Sequence, residues 1–76
     1  MNEIKLKDLY LCAFLLNENQ NLIRMDNDGH KFWFVFKETK DLNELTNAYW
    51  QNQAITKVKS YVNKVQDLKD RIFSEK

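Results

Sequence analysis

The sequence contains no proline, one glycine (Gly29), one cysteine (Cys12) and one histidine (His30). Each scarcity excludes something. A single glycine cannot build a glycine-rich phosphate loop, where several backbone positions must be free of a Cβ. A single cysteine cannot form an internal disulfide, and with one histidine it falls short of the four-ligand set of a structural zinc site. Without proline, and with so little glycine, the chain has few places to turn, so long regular elements and short connections are expected. Excess charge is missing as well: twelve Lys and Arg against eleven Asp and Glu leave a formal charge of +1. No gross field therefore selects for nucleic acid or an anionic membrane. The longest apolar run, Leu9 to Leu16, is too short to cross a bilayer, and the residues from Met1 to Asp8 lack signal-peptide form. The expectation is a cytoplasmic protein with no membrane partner, the compartment in which a lone thiol stays reduced.

What is present belongs to an ordered globule. The 76 residues are 43% hydrophobic and 13% aromatic, which predicts one domain spanning 1–76, near the size at which a core only just offsets the entropy of ordering the chain. The centre of the pattern is Phe32-Trp33-Phe34-Val35-Phe36. This short aromatic run, bounded by turn-forming and charged residues, reads as a β-strand that needs cover on both faces. Leu22-Ile23-Arg24-Met25 precedes it across Asp26-Asn27-Asp28-Gly29-His30, the pattern of a β-hairpin. With Asp28-Gly29 at the centre of a two-residue turn, counting pairs Asp26 with Lys31, Met25 with Phe32, Arg24 with Trp33, Ile23 with Phe34 and Leu22 with Val35. One sheet face then carries Met25, Ile23, Phe32, Phe34 and Phe36. The other carries Leu22, Val35, Trp33 and Arg24.

The rest reads as helix. A first helix is predicted from about Leu6 to Asn17, favoured at its start by Asp8 and stopped by the polar stretch Asn17 to Asn21. Its eight consecutive apolar residues cover every side of the cylinder, so more than one face must be buried. A second helix begins at a cap supplied by Asp41, in a capping box with Glu44, or by Thr39, and runs to about Gln51, with Leu42, Leu45 and Tyr49 inward and Trp50 on a flank. The last runs from Lys57 to about Phe73 with Thr56 as N-cap; Val58, Tyr61, Val65, Leu68 and Ile72 recur at three and four. The fold class is therefore α+β, in the order helix, β-hairpin, helix, helix, with a two-stranded sheet packed on the helices and open to extension by dimerisation.

No residue pattern supports catalysis. His30 sits beside the hairpin tip, where a solvent-exposed turn residue is the ordinary reading, and Asp26-Asn27-Asp28-Gly29 opens like a calcium loop but lacks its closing glutamate. Cys12 lies among apolar neighbours, the setting of an inert structural thiol. Acidic residues are scattered among lysines, with no isolated pair in an apolar setting for acid–base work. The expectation is a non-enzyme with no cofactor and no metal. Nucleic-acid contact has one candidate: Lys57, Lys64 and Arg71, seven apart on one side of the last helix, a stripe capable of weak, salt-sensitive phosphate binding but interrupted by Asp67 and Asp70. Protein interaction is favoured. A two-stranded hairpin is marginal alone and leaves backbone edges open, so two copies joined by hairpin edges or by their first helices would complete the core as a homodimer. The candidate interaction residues are Trp33, Val35 and Arg24 on the second sheet face, with Trp50.

Leu6-Lys7-Asp8-Leu9-Tyr10-Leu11-Cys12-Ala13-Phe14-Leu15-Leu16, then Trp33-Phe34-Val35-Phe36, Leu45, Ala48-Tyr49-Trp50, Tyr61-Val62 and Leu68-Lys69-Asp70-Arg71-Ile72-Phe73, together resemble a small family of uncharacterised domains of bacteria and their phages. The resemblance covers nearly the whole chain. It implies a viral or mobile-element setting; joined to the interaction surfaces read from the residues, the expectation is an accessory protein that binds a host or viral protein. It implies no reaction.

Overall fold

A computed structural model describes residues 2–75. The order of elements is β1 (Glu3–Leu6), α1 (Leu9–Asn17), β2 (Leu22–Asn27), β3 (Phe32–Lys37), α2 (Lys40–Trp50) and α3 (Val58–Glu75). The class is α+β, as expected, but the sheet has three antiparallel strands in the order β1-β3-β2. The predicted two-stranded sheet is thus corrected by β1, which occupies residues read as the approach to the first helix. Its alternation puts Ile4 and Leu6 opposite Phe36 and Phe34 on the inner face, and Glu3 and Lys5 opposite Lys37 and Val35 on the outer. The aromatic run is the central strand, paired along both edges.

The hairpin register is also corrected, by two residues. Asp26 pairs with Trp33, Met25 with Phe34, Arg24 with Val35 and Leu22 with Phe36, with a register shift between Leu22 and Arg24. The cause lies in the turn. Asp28 Oδ1 accepts hydrogen bonds from the backbone N–H of His30 at 3.1 Å and of Lys31 at 2.8 Å, while its Oδ2 accepts from Trp33 Nε1 at 3.3 Å. Asn27 Oδ1 accepts from Gly29 N–H, and Gly29 takes a φ of +94°, where a Cβ would be strained. A four-residue loop, Asp28 to Lys31, is therefore held by one carboxylate. The shift absorbs Ile23 as a bulge and leaves its predicted inward side chain exposed, while Leu22 takes the inner position.

All three helices lie against the inner face. α1 is central, and Leu11, Cys12, Ala13, Phe14 and Leu15 are all buried with Phe34, Phe36, Leu42 and Leu68 in one core. Its continuous apolar run is explained within a single chain: sheet on one side, α2 and α3 on the others. α3 packs against it: Asn17 at the end of α1 bonds Thr56 and the Lys57 carbonyl before α3, while Tyr61 Oη donates to the Tyr10 carbonyl near the start of α1.

Asparagine does the turning that glycine cannot. α1 is capped by Asp8, whose Oδ1 accepts from Tyr10 and Leu11 N–H. It ends with Asn19 at φ +67°, Asn19 N–H donating to Leu16 and Gln20 N–H to Leu15. α2 starts at Thr39, whose hydroxyl accepts from Leu42 N–H, so Thr39 rather than Asp41 is the cap. It ends the same way, with Asn52 at φ +60° and Gln53 N–H donating to Ala48. Both are Schellman closures with asparagine in the left-handed position. Thr56 does not cap α3. Its hydroxyl instead accepts from Asn17 and donates to Glu18 Oε2 at 2.8 Å, tying the α2–α3 connection to the end of α1.

Candidate interaction site

The outer face of the sheet is closed by its own side chains. Lys5 on β1 and Arg24 on β2 stand directly either side of Val35. Arg24 Nη1 meets Glu3 Oε1 at 3.0 Å, Arg24 Nε meets Asp26 Oδ1 at 3.0 Å, and Lys5 Nζ meets Asp26 Oδ2 at 3.3 Å. Two of these three pairs reach from β1 across the central strand to β2. The aliphatic stems they hold down leave Val35 fully buried. Hydrogen bonds to Asp26 and Glu3 keep the Arg24 guanidinium above its ordinary pKa. For Asp26, burial pulls upward, but the bonds from Arg24 and Lys5 outweigh it and leave the carboxyl below its usual range. Val35 is therefore corrected from a candidate contact to a packed residue, and Arg24 is engaged with two carboxylates rather than with Trp33.

The cation over Trp33 is Lys7, its Nζ 5.9 Å from the ring centroid. β1 pairs with β3 only as far as Leu6 opposite Phe34, so Trp33 projects past the end of β1 where the chain crosses to the α1 cap. Trp50, the last residue of α2, arrives at the same place. A groove of about 570 Å³ is lined by Trp33, Trp50, Leu6 and Leu11, with Lys5, Lys7 and Asp8 at its polar positions. Trp50 stacks edge-on against Tyr49, ring centroids 5.1 Å apart, and Tyr49 lies 6.1 Å from Phe14 in the core. Trp50 still leaves 63% of its surface exposed. Asp8 Oδ1 accepts from the N–H groups of Tyr10 and Leu11 at the start of α1, so the groove is apolar in its walls and carries Lys5, Lys7 and the Asp8 carboxylate at its rim. The two tryptophans named from the sequence are thus brought together. Leu6, Lys7 and Leu11 were not foreseen; the pairing of Ile4 and Leu6 in alternation with Glu3 and Lys5 was the signal for the strand that delivers them.

The basic residues of α3 are only partly united. Lys64 and Arg71 line a groove with Leu16 and Leu22, but Asp67 lies in it between them. Lys57 lies about two turns before Lys64, just ahead of α3, beside the Asn17 side chain that bonds its carbonyl. Arg24 belongs to the opposite side of the sheet. Cys12 is buried, and desolvation, with a smaller push from Asp8, raises its thiol to about 12, so it stays protonated at neutral pH. His30 is exposed at the hairpin tip. No group of three His, Cys, Asp or Glu among the described residues could hold a metal ion, and no helix is long and apolar enough to cross a membrane.

The chain belongs to the family described as Domain of unknown function (DUF5659), which matches residues 1–74. No curated protein and no solved structure matches it.

Proposed function

We propose that this is a non-catalytic interaction domain that binds another protein through the groove between Trp33 and Trp50. One observation carries the reading: both tryptophans of the chain, from different elements, line a single apolar groove, and one of them is largely exposed. Tryptophan is the residue most enriched among the anchors of protein interfaces, because it supplies a large rigid area with little rotamer entropy to lose. Lys7 at the rim adds a charge, since Lys5 already faces Asp26. The matching partner segment is apolar or aromatic with a carboxylate beside it. Self-association is part of the same proposal. So is a phage or mobile-element accessory role, supported by the family resemblance, and a cytoplasmic one, supported by the free thiol.

Selection of displayed random peptides against the purified protein tests the groove. Enrichment of aromatic-acidic sequences that lose binding to the Trp50→Ala variant is expected. Selected peptides that bind the variant and the parent equally would place the contact elsewhere. The nucleic-acid alternative through Lys57, Lys64 and Arg71 rests on the partial convergence of Lys64 and Arg71. Unretarded single- and double-stranded DNA at low salt would remove it.

A further inference from the structure

α3 has two unlike flanks beside its core-facing stripe of Tyr61, Val65, Leu68 and Ile72. One carries Lys64 and Arg71. The other carries Val58, Val62 and Phe73, exposed by 74%, 56% and 79%. On a helix of 3.6 residues per turn these three fall within a sector of about 60° and extend over about 22 Å. Their outer border is formed by Lys59 and Asp70, and the only charge within the stripe, Lys69, turns its Nζ toward the Tyr10 ring, 6.0 Å from the centroid. Scattered exposed apolar residues need no explanation, but three large ones on one flank of the longest helix do.

We infer that this flank is the contact between two copies of the chain, with the two α3 helices antiparallel about a twofold axis near Val65. The arrangement is self-complementary. Val58 and Phe73 are centred within a residue of Val65, so antiparallel pairing sets Val58 of one copy against Phe73 of the other, with Val62 opposite the stem of Lys69. Lys59 and Asp70 are centred within a residue of the same point. The dyad therefore brings Lys59 of each copy to Asp70 of the other, offset by about 3 Å along the axis. Parallel pairing would instead put this charged border of the two copies on opposite sides of the seam, where Lys59 and Asp70 do not meet, and a foreign partner gives no reason for this symmetry. The inference rests on reading the protein as an interaction domain, but it uses a surface separate from the tryptophan groove. It is distinct from the dimer contacts expected from the sequence: β1 covers the β3 edge of the hairpin while β2 stays at the edge of the sheet, and Leu11 to Leu15 of α1 are buried in the core of their own chain.

Light scattering over a micromolar concentration series is the test. The parent protein should give a dimer mass, and Val62→Glu, an exposed substitution, a monomer with unchanged far-ultraviolet circular dichroism. Lys59→Glu should weaken the dimer roughly fivefold through two reversed pairs, and adding Asp70→Lys should restore it. A parent that stays monomeric to about 100 µM, or a dimer that neither Val62→Glu nor Lys59→Glu weakens, would overturn the inference. Trp50→Ala should leave the dimer intact, so that loss of peptide binding and loss of the dimer are read separately.

Discussion

The two faces of β3 are closed in different ways. Phe34 and Phe36 point into a core made by three helices, whereas Val35, between them in sequence, is equally buried beneath four charged side chains of β1 and β2. Apolar sequence on both faces of a strand thus need not mean two apolar layers. A central strand in a three-stranded sheet can be roofed by long side chains of its neighbours when their charges alternate and hold each other down. This closes the space in which a partner was expected on the second face. The open apolar surface lies instead where the sheet ends, at Trp33 and Trp50, and along one flank of α3.

The difference between the faces can be broken from either side. The largest effect belongs to the inner face: Phe36→Ala should lower unfolding stability by about 3–5 kcal/mol, a large part of what a small domain possesses, as read from a urea midpoint. Val35→Ala should remove roughly 1.5 kcal/mol, because the roof of flexible stems can settle into the space that a helical core cannot fill. An equal loss at both positions would contradict the distinction.

Acid should loosen only the outer face and its turn. The backbone N–H of Lys31 and of His30, with the Trp33 indole, hold the Asp28 carboxyl below its ordinary value, and Asp26 is likewise depressed. A depressed carboxyl contributes stability that is fully present above its unfolded value, near pH 4, and is lost as pH falls through the folded value. Asp28→Asn should therefore flatten the acid limb of the stability profile while leaving the neutral core signals unchanged. The smallest expected effect is that of Trp50→Ala on stability, within about 0.5 kcal/mol by the same urea assay, because most of that side chain is already in water.

The elements made by local chemistry were legible in the sequence. The buried run of α1, the hairpin across Asp28 and Gly29, the Thr39 cap as one of two choices, and the periodic face of α3 all follow from neighbouring residues. What was not legible depends on contacts distant in the chain. β1 has four residues, two of them charged, and exists only because β3 offers it an edge. The register turned on one carboxylate, Asp28, preferring four-residue geometry to the tighter turn that Asp-Gly suggests. The site was half legible for the same reason: Trp33 and Trp50 stood out as large aromatics, but only the tertiary fold unites them and buries Val35.

The central claim, that function lies in the tryptophan groove, has a direct reading in the two indole N–H signals of a ¹⁵N-labelled sample, since the chain has two tryptophans. Addition of a selected aromatic-acidic peptide should move both signals together with the amides of Leu6 and Lys7. Binding that shifts neither indole, with changes confined to the outer sheet face around Arg24 or to the basic flank of α3, would contradict it.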